Sequence, residues 1–245
     1  MDISGKTALV TGGAKRMGRA IAISLASAGV NVVINYRSSA SEAEELAELL
    51  RSMGVSAWTI RADVADKADR EGLIDRAIDT ASSLDILVNN ASIFPPSDLP
   101  SLTLEHLTQS IEVNAWAPFE LGRRFADRAD TGHIVNLLDT RINGYDWKHV
   151  GYHASKYLLA LLTKMMAIQF APQVAVNAVA PGLVLPPEGK DESYLETLKG
   201  ELPLQRVGRP DQVADAVLYL VSSEFVTGQV IYIDGGRHLN EASIG

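Results

Sequence analysis

The sequence predicts an α/β protein: one doubly wound domain on a seven-stranded parallel sheet, with helices on both faces. Three observations predict it. Short apolar runs alternate with longer helix-like runs along the whole chain. The apolar runs show no polar alternation, so they read as strands buried on both faces, joined by right-handed crossovers. The length, 245 residues, suits one large domain, and no repeat, linker or low-complexity tract divides it.

The elements follow in order. Residues 7–11 (TALVT) form a buried strand, then 19–28 a helix stopped by Gly29. Residues 30–36 (VNVVINY) form a second strand, and 42–53 an acidic helix ended by Gly54. A third strand at 56–61 precedes a helix at 69–82, and a fourth at 84–89 precedes a long helical stretch from about 103 to 129. Strand 133–138 leads to helix 152–170, strand 174–179 follows, and helix 210–222 precedes the last strand at 229–233. The loosest segment, 183–200 (LVLPPEGKDESYLETLKG), is polar and proline-rich. It follows the C-terminal end of a strand, where ligands bind in such sheets, so it is a candidate lid over the single domain 1–245.

Composition narrows the function. A content of 47% hydrophobic and 21% charged residues is that of a soluble globular chain, long enough to bury a core without staples. The net charge of -8 argues against nucleic acid as a partner, since phosphate backbones need a basic face. The absence of cysteine excludes thiol catalysis, disulfides and Cys–zinc sites. The N-terminus has no cleavable apolar segment, and no window reaches the roughly 20 apolar residues of a spanning helix. A cytoplasmic protein with no membrane partner is expected.

The turn Gly12-Gly13-Ala14-Lys15-Arg16-Met17-Gly18 lies between the first strand and the first helix. Such a turn sets backbone N–H groups and a helix N-terminus against a pyrophosphate. Its spacing also fits a plain tight turn. Lys15 and Arg16, however, oppose the helix dipole and call for an anion. At the end of the second strand, Asn35-Tyr36-Arg37-Ser38 offers no acid for ribose hydroxyls. Arg37 and Lys15 would bracket a 2′-phosphate, with Ser38 donating a hydrogen bond, which favours NADP(H) over NAD(H).

Tyr152 and Lys156 stand at i and i+4 of a helix and face the same way. An ammonium beside a phenol lowers the phenol's pKa and makes it a usable acid or base near neutral pH. The pair is common by chance and gains meaning only from its company. His149 and His153 share the same spacing, but no third ligand accompanies them, so no metal is expected.

That company is specific. With Thr11-Gly12…Gly18, Asp63-Val64, Asn89-Asn90-Ala91, Asn114, Tyr152-x-x-x-Lys156 and Pro181-Gly182 in this order, the whole chain resembles the short-chain dehydrogenases/reductases. The resemblance implies a Rossmann-like fold and a small-molecule substrate, with Tyr152 as proton donor in reduction. Lys156 would lower its pKa and bind the nicotinamide ribose, and Asn114 would hold a water in a proton relay. Gly12, Lys15, Arg16, Met17, Gly18, Tyr36, Arg37 and Ser38 would surround the phosphates and ribose. Asp63 and Val64 would contact adenine, and Asn90, Ala91 and Ser92 would line the cofactor. The segment after Pro181-Gly182, including Val184, would cover nicotinamide and substrate. A homotetramer built through helices 103–129 and 152–170 with residues 229–245 is also implied.

Two positions depart from the family pattern. Asp139 stands where a catalytic Ser is usual, and Arg16 replaces the middle glycine of the turn. An ionised Asp cannot polarise a carbonyl by donation; it suits a substrate that offers N–H groups. Both departures, with Ser92 and Phe94 in NNASIF, resemble the pteridine reductases. By that resemblance Arg16 reaches cofactor phosphate and pterin, Asp139 works with Tyr152 to protonate a ring nitrogen, and Phe94 stacks on the pterin. Ser92 and Tyr152 complete the substrate set. The alternatives are a carbonyl reductase of the 3-oxoacyl-thioester or sugar type and a non-catalytic dinucleotide-sensing protein. Taken alone, Phe94 also reads as a core residue and Asp139 as a strand-end cap.

Overall fold

A computed structural model describes residues 2–187 and 189–241. Parts of the expected lid (Glu188) and of the expected C-terminal contact segment (242–245) lie outside the described residues, as does Met1. The strands are β1 (Thr7–Val10), β2 (Asn31–Tyr36), β3 (Ala57–Arg61), β4 (Ile86–Asn89), β5 (Gly132–Leu137), β6 (Val174–Pro181) and β7 (Val230–Ile233). They form one parallel sheet in the order β3-β2-β1-β4-β5-β6-β7. The helices are α1 (Arg16–Ser27), α2 (Ala40–Ser52), α3 (Lys67–Ala81), α4 (Leu104–Ile111), α5 (Ala117–Arg128), α6 (Val150–Gln169), α7 (Glu192–Leu198), α8 (Pro210–Ser222) and α9 (Arg237–Glu241).

The strand pattern explains the two-sided core. In β1, Ala8 and Val10 join the apolar layer that holds Ile21 and Leu25 of α1 and Val217 of α8. Leu9 points the other way, toward Leu73 of α3, Phe125 of α5 and Met166 of α6. Successive side chains leave opposite faces of a strand, and both faces are covered here. That is why the strands read as unbroken apolar runs. Among the described residues no helix is long and apolar enough to cross a membrane.

Three expectations change in detail. Helix α1 begins at Arg16, because the turn tightens directly into it. The long helical stretch is broken by a π-turn at Glu112–Trp116, a one-residue surplus that sets Asn114 at its centre. The segment 183–200 is not merely loose. It carries α7, and Leu183 and Leu195 are buried with Leu202 against Tyr194, Leu198 and Val207. Burial of those apolar groups outweighs the local proline and charge content.

Candidate active site

The strand order reverses between β1 and β4, and the C-terminal edge at such a point opens a crevice. A cavity of about 380 Å³ lies there. It gathers the turn (Gly12, Lys15, Arg16, Met17, Gly18), the end of β2 (Tyr36, Arg37, Ser38), Asp63 and Val64, and Asn90, Ala91 and Ser92. Ala14, Asn35, Ser39, Ala62, Ile93 and Val113 also line it, and the sequence did not single these out.

The turn is held by close packing and by amides. Gly12 has φ 59°, and a Cβ there would meet Ala91 Cα at 3.1 Å. A Cβ on Gly18 would come within 2.4 Å of the Gly12 carbonyl oxygen, so only glycine fits. Asn90 Nδ2 donates to the carbonyls of Thr11 (2.9 Å) and Gly12 (3.0 Å). Buried Asn35 accepts from the Gly12 N–H at 3.2 Å and donates to the Ile60 and Ala62 carbonyls. Its one signal in the sequence is an amide inside an apolar strand.

The cations of this end are placed less simply. Arg37 lines the cavity and has no ion-pair partner among the described residues. Lys15, expected to share a 2′-phosphate with it, instead pairs with Glu42 Oε1 at 2.5 Å. That pair holds the Glu42 carboxyl below its ordinary range, chiefly through the Lys15 hydrogen bond. Arg16 keeps the left-handed backbone of the missing glycine, with φ 52°. For an L-residue this costs about 1–2 kcal/mol. Its guanidinium donates to the Pro186 carbonyl and so ties the turn to the segment after β6.

A second cluster lies beyond the turn. Tyr152, on the first turn of α6, donates its hydroxyl to Asp139 Oδ2 at 2.9 Å. Asp139 lies two residues beyond β5 and caps the following 3-10 turn, its Oδ1 accepting from Arg141 N at 2.8 Å. The cap and the partnership with Tyr152 are therefore both realised. Lys156 is buried, donates to the Leu137 carbonyl at 2.7 Å, and lies 5.7 Å from the Tyr152 ring centre.

The expected lowering of the Tyr152 pKa is not found. Burial, then the charge of Asp139 and the hydrogen bond to it, push the phenol well above its ordinary value. Burial likewise lowers Lys156 to about 8, against the opposing pull of Asp139. The Asn114 side chain is engaged within the protein, which leaves its backbone as the group that could hold the expected water. Its Nδ2 donates to Ile93 O and Ser155 Oγ, each at 3.0 Å. Its Oδ1 accepts from Ser92 Oγ (2.9 Å) and Ile93 N (2.8 Å). All four positions of the amide are used, and Asn114 braces the loop that carries Ser92.

Phe94, on that loop, lies edge-on to Tyr152 with ring centres 4.6 Å apart, and stacks on His149 at 3.8 Å. Pro181, Gly182 and Val184 are not part of the cavity lining. Gly182 packs where a Cβ would meet Asp234 at 2.6 Å, and Val184 is buried in the core layer of α1 and α8.

A family model described as enoyl-(acyl carrier protein) reductase matches residues 12–238. The chain belongs to the short-chain dehydrogenase/reductase family. Glucose 1-dehydrogenase 2 of Bacillus subtilis is 33% identical over 97% of this chain and 96% of its own. A 3-oxoacyl-[acyl-carrier-protein] reductase FabG of Staphylococcus aureus is 32% identical over 96% and 98%. The crystal structure of FolM alternative dihydrofolate reductase 1 from Brucella canis, complexed with NADP, superposes with a TM-score of 0.92 at 33% identity, covering 97% of this chain and 96% of that one. Membership makes this short-chain dehydrogenase/reductase an NAD(P)-dependent oxidoreductase. It also sharpens what is unusual in it, namely the carboxylate at 139 and the strained Arg16.

Proposed function

We propose that this enzyme uses NADPH to reduce a pterin or a dihydropterin/dihydrofolate ring. The hydrogen bond from Tyr152 to Asp139 carries the reading. A hydroxyl at position 139 would serve a carbonyl; a carboxylate paired with the proton donor suits a heteroaromatic ring that presents N–H groups and takes its proton on nitrogen. The likeness to the FolM structure supports the same substrate class.

The residues present fit NADP(H). The glycine turn lies against α1, no acid ends β2, and Lys15, Arg37 and Ser38 line the adenosine side of the cavity. NADPH, when bound, supplies the hydride. The chain supplies the rest. Tyr152, whose phenol stays protonated through the neutral range, donates the proton in the reductive direction. Lys156, cationic below about pH 8, steadies the charge left on the phenol oxygen. Asp139 receives ring N–H groups and orients Tyr152. Phe94 offers a flat apolar face, and Arg16 can turn from Pro186 to the carbonyl edge of the ring. Leu161, Met165 and Ile168, exposed along α6 at i, i+4 and i+7, support a homotetramer formed through α4–α5 and α6.

The curated relatives favour a second reading, carbonyl reduction of a 3-oxoacyl thioester or a sugar. NADPH oxidation with dihydrobiopterin or dihydrofolate, with acetoacetyl thioester, and with no substrate separates the two. Pterin-dependent oxidation is expected. Thioester turnover without it would replace the pterin reading, and no turnover with any substrate would favour a non-catalytic dinucleotide-binding role.

A further inference from the structure

A closed circuit of contacts surrounds the Asp139–Tyr152 pair, and half of it has no role in the mechanism above. Arg141 gives its backbone N–H to Asp139 and its guanidinium to Asp146. Buried Asp146 also accepts the backbone N–H groups of Lys148 (2.9 Å) and His149 (3.1 Å), and lies 3.1 Å from His149 Nδ1. The His149 ring stacks on Phe94 with centres 3.8 Å apart and planes inclined by 22°. Phe94 meets Tyr152 edge-on, and Tyr152 returns to Asp139.

The anchor is firm. Burial pushes the Asp146 carboxyl up, but the Lys148 amide, Arg141 and His149 outweigh it and hold it below its ordinary range. The loop that carries Phe94 is stitched to the same place. Ser97 N–H donates to the Lys148 carbonyl, and Val150 N–H to the Ser97 carbonyl, each at 2.8 Å. Phe94 itself sits between Ile93 and two prolines and is 41% exposed. Nothing in its own loop would fix the plane of so exposed a ring. His149 covers one face of it and Tyr152 stands at right angles to it with ring centres 4.6 Å apart, yet the residue keeps 41% of its surface exposed for a flat ligand to cover.

We propose that His149 is a positioning residue for a planar substrate. Anchored by Asp146, it backs Phe94 and so sets the plane on which the substrate ring stacks. This deepens the pterin reading and rests on it for the identity of the ring.

Two substitutions separate the ring of His149 from its anchor. His149→Gln keeps an N–H that can reach Asp146 and removes the ring. His149→Phe keeps the ring and removes the bond. Stacking beyond area burial corresponds to a few-fold to about tenfold in affinity. His149→Gln should therefore raise the dihydrobiopterin KM about tenfold, with kcat within about twofold of the unaltered enzyme. His149→Phe should recover most of that loss. The dissociation constant for NADPH, read by fluorescence, should be unchanged in both and shows that each is folded. If His149→Gln does not fold, Asp146→Asn tests the anchor, with a smaller rise in KM expected. Equal KM values for the unaltered enzyme and the Gln variant, equal losses in the Gln and Phe variants, or an unchanged KM in Asp146→Asn would overturn the proposal. Dihydrobiopterin turnover by the unaltered enzyme is measured first. Its absence overturns the substrate reading, and the stacking role with it. Its presence with indistinguishable variants overturns the positioning role alone.

Discussion

At the β2 end of the cavity, the charged groups are held loosely. Lys15 and Glu42 pair at 2.5 Å, but their side chains are 50% and 42% exposed, and Arg37 has no ion-pair partner among the described residues. Exposed pairs of this kind contribute little and change partners cheaply. Around Asp139 the situation is reversed. Tyr152, Lys156 and Asp146 are buried, and each holds a fixed partner. The difference teaches where precision is kept. On the proposed reading, the end that would face phosphate is a reservoir of cations that can rearrange around an anion, whereas the end that would react is preorganised. Changes at the first should alter affinity and depend on salt. Changes at the second should alter turnover and depend little on salt.

The largest effect is expected at the reacting end. Tyr152→Phe removes the hydroxyl that Tyr152 donates to Asp139 Oδ2. Turnover should fall by about 100- to 10,000-fold, with NADPH affinity nearly unchanged. A variant that keeps half of the turnover would show that the proton comes from elsewhere.

The buried ammonium gives the next. Lys156 drops from 10.5 to about 8 in the folded protein. Between those values the unfolded chain holds a proton that the folded one has lost, so stability rises with pH across that window. Below about pH 8 the full penalty applies, on the order of 3 kcal/mol. The stability advantage of Lys156→Met should therefore shrink as pH rises from 8 toward 10.5, measured by urea unfolding. A difference that is flat in pH would contradict the burial of a charged lysine.

At the loose end, Arg37→Asp replaces a cation that lines the cavity with an anion. A charged hydrogen bond is worth roughly 1.5–3 kcal/mol, so NADPH affinity should fall by more than tenfold, and less in high salt. NADH affinity should hold. Comparable NADPH and NADH Michaelis constants in the unaltered enzyme would remove the basis for this assignment. The smallest effect is at the joint between the two ends. Arg16→Gly relieves the left-handed strain at φ 52°. It should raise stability by about 0.5–1 kcal/mol after glycine's own entropy cost, while lowering pterin turnover. If both quantities rise, the strain serves no substrate.

Legibility in the sequence follows the same division. The sheet was readable because its strands are buried on both faces and interrupted by helices of ordinary period. Gly12 and Gly18 were readable because a left-handed φ with tight packing favours glycine at the first, and a close approach to the Gly12 carbonyl requires it at the second. The Lys15–Glu42 pair was not, since a half-exposed lysine chooses among several partners that sequence spacing does not rank. The π-turn that sets Asn114 depends on one surplus residue in an otherwise helical pattern. The four-fold use of the Asn114 amide needs the loop at 92–93 brought against it in space. The link from Asp146 through His149 to Phe94 joins two aperiodic loops, so no sequence period announces it. The raised phenol of Tyr152 was missed because i, i+4 spacing reports the neighbouring ammonium and not the burial or the carboxylate facing it.

The claim that the carboxylate at 139 selects the substrate is tested most directly by Asp139→Ser. NADPH oxidation is followed for the unaltered enzyme and this variant, each with dihydrobiopterin and with acetoacetyl thioester. The account predicts a crossing of preference. The unaltered enzyme reduces the pterin and scarcely touches the thioester, and the variant loses most pterin turnover while gaining weak thioester activity through the new hydroxyl. An unaltered enzyme that reduces the thioester well and the pterin not at all, or a variant that keeps full pterin turnover, would contradict it.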